Sequence, residues 1–190
     1  MSATFRVPEA PRRGGQLLYF FPALESASGG GRIIQPVLRF YDGAWSIASH
    51  SVANGEDDHS AVVSTEAGHA IRGTLRSSSC DADGSCMWTI TTADVTSGET
   101  TTLTEKDSTA YTLYFAGAVE GYHVTSCSQY PGDGAVRFEN VAVYDEKGDE
   151  LPIAPDRWTS TDASPECGFG TAVRESTVTF FFDRGCPIGC

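Results

Sequence analysis

The stretch RIIQPVLRFYDGAWSIASHSVANG, residues 32–55, reads as two β-strands joined by a tight turn. The runs "RIIQPVLRF" and "AWSIASHSV" are rich in branched and aromatic residues, and Gly beside Asp or Asn punctuates both. With the two-residue period of a strand, Ile34, Pro36, Leu38 and Phe40 share a continuous apolar face. Ile33, Gln35, Val37 and Arg39 share the other. Gln35 therefore points away from the better core face, and Pro36 removes a ladder donor and biases Gln35 towards an extended backbone. A bulky amide there is either a solvated strand residue or part of a functional surface.

The same pattern repeats outward along the chain. Strand candidates are "QLLYFFPAL", "SAVVS", "HAIRGTLR", "CMWTITTADV", "TTTLT", "YTLYF", "AVEGYHVTS", "AVRFENVAVYD" and "STVTFFFD". Turns such as "NGEDD", "EAGH", "TSGE", "PGDG" and "EKGDE" separate them, each with Gly beside Asp, Asn, Glu or Ser. No stretch sustains helical apolar spacing for three turns. Short strands at this spacing predict an all-β fold, two packed antiparallel sheets in a β-sandwich or jelly roll. Residues 1–15 are polar, with two Pro, two Gly and Arg12-Arg13, and read as a flexible leader; residues 16–190 form one domain.

The chain of 190 residues carries a net charge of -12 with a pI near 4.6. Such a surface repels nucleic acid and anionic membranes. Mean hydropathy is -0.20, and no long uncharged apolar run is present to form a membrane span. The N-terminus "MSATFRVPEAPRRGGQ" has no apolar h-region, so no signal peptide is read in this chain. Six cysteines suit disulfides and an extracellular or other oxidising compartment. Cys80 and Cys86 flank the turn-rich "DADGS", and Cys186 and Cys190 flank a short terminal segment. Cys127 and Cys167 pair by elimination. Zinc is the rival, but no CxxC spacing supports it.

Familiar catalytic signatures are missing. There is no GxSxG, and His50, His59, His69 and His123 follow no metal-binding spacing, so each reads as a surface or hydrogen-bonded strand residue. No phosphate loop opens a helix, and nothing calls for a metal or another cofactor. One further segment stands out, "AGAVEGYHVTSC", in which Glu120 shares a strand face with Tyr122 and Val124 while Gly121 leaves space beside it. A carboxylate set against an aromatic suits acid–base work. The bland alternative is a solvated strand face.

The order of segments "LLYFFPALES", "RIIQPVLRF", "AWSIASHSV", "STEAGHAIRGTL", "ADVTSGETTTL" and "VEGYHV" resembles the glutamic peptidases of the eqolisin family (family G1), over roughly residues 17 to 183. The resemblance implies a concanavalin A-like double-sheet sandwich whose concave sheet carries one Gln and one Glu for peptide hydrolysis at acid pH. The Gln matches Gln35 and the Glu matches Glu120. The implied roles are a general base and acid for Glu120, and a water-orienting, oxyanion-stabilising amide for Gln35. Trp45 and Tyr122 are candidate walls of a substrate cleft, and Trp45 is equally a candidate for core packing. Gly121 stands where the family has Trp.

Fold alone does not fix function, and two other readings stay open. One is a glycan-binding module on the same sandwich, with Trp45, Trp158, Tyr122, Tyr130 and Asp133 as ring-stacking or hydroxyl-binding residues. The other is an enzyme keeping the dyad for a small substrate. The expected ligand is thus a peptide or a glycan.

Overall fold

The computed structural model describes residues 1–26, 31–145, 147–152, 154, 157–160 and 166–182. They form β1 (Ser2–Arg6), β2 (Leu17–Glu25), β3 (Ile33–Tyr41), β4 (Ala44–Ala53), β5 (Glu56–His59), β6 (Val63–Thr65), β7 (Ala70–Ser78), β8 (Cys86–Asp94), β9 (Thr100–Asp107), β10 (Leu113–Tyr122), β11 (Ala135–Ala142), β12 (Gly170–Arg174) and β13 (Thr177–Phe181). Short 3-10 turns at Cys127–Gln129 and Glu166–Gly168 accompany the strands, and there is no α-helix among the described residues. The strands build two antiparallel sheets, one in the order β12-β13-β11-β1-β7-β8-β9 and one in the order β10-β2-β3-β4-β5, with β6 also on β4. This is the expected two-sheet sandwich.

The hairpin at residues 32–55 sets the second sheet. Asp42 and Gly43 both have positive φ, 50° and 78°, the signature of a type I′ turn whose twist matches the flanking strands. A two-residue loop there pairs Tyr41 with Ala44 and carries the register down to Gln35 opposite His50. Asn54 and Gly55 repeat the device, with φ of 53° and 82°, and set His50 opposite His59 on β5. β5 begins inside "NGEDD" and ends one residue past it; sequence reading takes that segment as turn alone, because the four residues of β5 are all exposed and carry no apolar alternation.

The core lies between the sheets. Phe5, Leu18, Phe20, Ile34, Leu38, Ile47, Ile71, Ile90 and Phe138 are buried there, each from the inward face of its strand. Trp45 belongs to this core. It is 5% exposed and packs against Phe20 and Phe40, with centroids 5.8 and 4.9 Å away, so it forms no wall of an outer cleft. Alternation explains this, because Trp45 is the cross-strand partner of Phe40 and shares its inward face. The sheets approach closely at Gly73 on β7, where a Cβ would lie 2.5 Å from Pro36 Cγ and 3.2 Å from Pro22 Cγ. Pro22 and Pro36 interrupt the β2–β3 ladder, yet pairing resumes in the same register at Leu24 and Ile34.

Three expectations change. Residues 1–15 are not a leader throughout: β1 pairs on one side with β7 and on the other with β11, and Ala3, Phe5 and Val7 are buried. A strand of five residues with charged neighbours is too short for composition to reveal. "YTLYF" and "AVEGYHVTS" join into one strand, β10, through a register shift between Phe115 and Ala118. That strand ends at Tyr122; His123 turns with φ of 59°, and Val124 packs against the core rather than beside Glu120.

Cys80 is bonded to Cys86, and Cys127 to Cys167, as expected. The proposed pair Cys186 and Cys190 lies outside the described residues. Two disulfides suit an oxidising setting. No helix among the described residues is long and apolar enough to cross a membrane.

Candidate functional site

The face of the six-stranded sheet turned away from the core is unusual for a free surface. Phe21, Ala23 and Val37 form a second buried apolar cluster there, with Tyr19, Ile33, Phe115 and Ala118 around it. Gln35 and His50, on the same face, are each only 5% exposed. Tyr19, Ile33 and Phe115 pack over the cluster and help to cover it.

Two rows of side chains cross this face. In one row Glu120 on β10 pairs with Tyr19 on β2, Tyr19 with Arg39 on β3, and Arg39 with Ser46 on β4. In the other, Gln35 on β3 pairs with His50 on β4, and His50 with His59 on β5. The rows are offset by four residues along the strands. In a flat sheet a step of two strands across and four residues along separates Cα atoms by about 17 Å. The Tyr19 and His50 rings make that step, yet they meet edge-on with centroids 5.9 Å apart. The lean of the two side chains and the twist of the sheet together close this diagonal. Glu120 to Gln35 is the same step, displaced by one strand.

Glu120, Tyr122 and Gln35 lie on one face of one sheet; Trp45 does not. Glu120 Oε2 accepts a hydrogen bond from the Tyr122 hydroxyl at 3.0 Å. Tyr122 is 46% exposed and stands edge-on to Tyr19 at 6.0 Å. Partial burial, reinforced by the bond to Glu120, pushes the Tyr122 phenol up to about 12. The phenol therefore keeps its proton throughout the acid and neutral range. Burial also raises the Tyr19 phenol; Arg39 opposes this, and Asp57 and Glu120 reinforce it.

Tyr19, Arg39, His50 and Asp57 escape composition-based reading. Arg39 donates from Nε to Ser46 Oγ at 3.2 Å, and its guanidinium lies 5.6 Å from the centre of the Tyr41 ring. His50 Nδ1 meets Asp57 Oδ1 at 2.9 Å and Oδ2 at 3.1 Å. Burial pulls the His50 pKa below its usual value, against the hydrogen bond to Asp57. Two buried atoms in this row have no hydrogen-bond partner, Gln35 Oε1 and His50 Nε2. A signal for His50 was in the sequence: the Asp42-Gly43 turn alone makes it the partner of Gln35.

Among the described residues no group of three or more His, Cys, Asp or Glu is arranged to hold a metal ion. The chemistry available is that of one carboxylate with its phenol, one amide, and a carboxylate-bound imidazole. Residues suggested for a glycan surface are mostly committed elsewhere. Trp45 and Trp158 pack with the core, Tyr130 stacks on Phe182, and Asp133 Oδ2 accepts from the Glu9 backbone N–H.

No family model matches the chain, and no curated protein matches it. Solved structures do. A scytalido-glutamic peptidase, solved with a transition state analog inhibitor, superposes with a TM-score of 0.64 at 17% identity, covering 95% of this chain and 90% of that one. The aspergilloglutamic peptidase from Aspergillus niger superposes with a TM-score of 0.54 at 16% identity, covering 87% of this chain and 98% of that one. The chain has a glutamic-peptidase-like fold.

Proposed function

We propose that the protein is a hydrolase of the glutamic-peptidase kind, acting on peptide bonds through Glu120 and Gln35. The observation that carries this reading is the diagonal. Glu120 and Gln35 stand on one face of one sheet, on the same step across the strands that brings Tyr19 against His50. The fold shared with two glutamic peptidases supports the same class of substrate.

As carboxylate, Glu120 takes a proton from a water that attacks the scissile carbonyl, and then gives it to the leaving amine. Tyr122 holds one carboxylate oxygen and leaves the other for the water. Gln35 orients that water and donates an amide N–H to the oxyanion, where a single donor is worth about 3 kcal/mol of transition-state stabilisation. The buried apolar cluster of Phe21, Ala23 and Val37 floors the space between them and strengthens these polar contacts by excluding water.

The test is hydrolysis of a denatured protein substrate from pH 2 to pH 7 by the wild type and by Glu120→Gln. Cleavage by the wild type at acid pH, lost in Glu120→Gln, supports the reading. Equal cleavage by both proteins, or none by the wild type, refutes it.

A further inference from the structure

We propose that His50 is a positioning residue that decides which end of the Gln35 amide faces the substrate side, and that a proton on its Nε2 makes the choice. The proposal rests on the role given to Gln35 above and adds its regulation.

Gln35 and His50 are direct cross-strand partners on this face, so their side chains lie within reach of one another. Gln35 Oε1 and His50 Nε2 are both buried and both lack a partner. His50 Nδ1 is held by the Asp57 carboxylate, to which it donates its N–H. The neutral ring therefore presents a bare lone pair at Nε2. Two buried acceptors without a donor are costly, about 1–3 kcal/mol each.

Two changes satisfy both residues. If His50 stays neutral, a half-turn of the Gln35 amide sends its N–H to His50 Nε2 and turns its carbonyl outward. If His50 takes a proton from solvent, its Nε2–H donates to Gln35 Oε1 and the amide N–H2 faces outward. Only the second state offers a donor to an oxyanion. Acidification thus turns Gln35 from an acceptor to a donor at the reacting face.

The groups facing His50 are few. Asp57 and His59 approach from β5, Arg39 from β3 and the Tyr19 ring from β2. His59 Nδ1 is tied to the Ser60 carbonyl at 2.8 Å, so it supplies no competing donor from that nitrogen. Burial, Arg39 and His59 oppose the proton, and Asp57 favours it. The balance sets the change below the ordinary histidine range, on the acid side.

The test is a pH titration of the full chain by nitrogen-15 NMR, following the His50 ring nitrogens and the Gln35 side-chain amide. The expected result is one common midpoint for both. Asp57→Asn removes the carboxylate that favours the imidazolium and should move both midpoints down together by about one pH unit. A Gln35 amide signal that ignores the His50 titration overturns the proposal, and the wild-type titration decides this even if the variant fails to fold. An amide that follows His50 in a protein without peptidase activity keeps the switch and removes the dyad. Peptidase activity that needs Glu120, with an amide indifferent to His50, removes the switch and keeps the dyad.

Discussion

The Tyr19 ring lies edge-on to the His50 ring, 5.9 Å between centroids, although two strands and four residues separate them along the sheet. Tyr19 also touches Tyr122, the donor to Glu120. One side chain thus links the carboxylate end of the face to the imidazole and amide end. Tyr19→Ala should lower kcat/KM at least tenfold and cost about 1–2 kcal/mol of stability, from two lost aromatic contacts. Tyr19→Phe, which keeps both rings' contacts, should retain most of the stability. Peptidase assays beside urea unfolding separate the two effects.

The close approach of the sheets at Gly73 gives a prediction independent of any chemistry. Gly73→Ala places a methyl 2.5 Å from Pro36 Cγ, on a ring with little freedom to yield. It should destabilise the fold by about 1–3 kcal/mol, read as a lower urea midpoint with an unchanged slope. Because Pro36 follows Gln35, peptidase activity should fall as well.

Asp94 controls stability in acid. It is fully buried, and burial alone would raise its carboxyl. Hydrogen bonds from His69 and Thr65 and from the backbone N–H groups of Ser97 and Thr96 outweigh this and hold it at about 2. A folded-state value below the unfolded one adds stability that is present above pH 4 and lost as pH falls towards 2. The contribution is about 2 kcal/mol. Asp94→Asn should lose that amount at neutral pH and flatten the stability curve between pH 4 and 2, as measured by urea unfolding across that window.

The two disulfides should differ in weight. Cys127–Cys167 closes a loop of sequence separation 40, and Cys80–Cys86 one of separation 6. Loop closure alone assigns about 4 kcal/mol to the first and about 2 to the second. Paired Cys→Ser variants unfolded in urea should show that order; equal losses would mean that the short bridge does more than close its hairpin.

How much of this was legible in the chain follows from which interactions are local. The Asp42-Gly43 and Asn54-Gly55 turns fix their hairpins through positive φ, so the pairing of Gln35 with His50 follows from sequence once the turn type is applied. The inward fate of Trp45 follows from the same register, since it opposes Phe40. The irregularity between Phe115 and Ala118 is different. It is what puts both Phe115 and Glu120 on the outer face, and no residue pattern announces it. β1 is likewise a long-range element, a strand only because β7 and β11 flank it. The twist that brings Tyr19 against His50 is a property of the whole sheet, beyond any window of sequence.

The central claim is that Glu120 and Gln35 act as one unit, and a double-mutant cycle on kcat/KM tests it most directly. Glu120→Gln, Gln35→Ala and the double variant are compared with wild type at acid pH, each shown folded by circular dichroism. Two groups serving one transition state are strongly non-additive, so the double variant should be hardly slower than Glu120→Gln alone. Losses that simply add, or a Gln35→Ala variant as fast as wild type, would contradict the account.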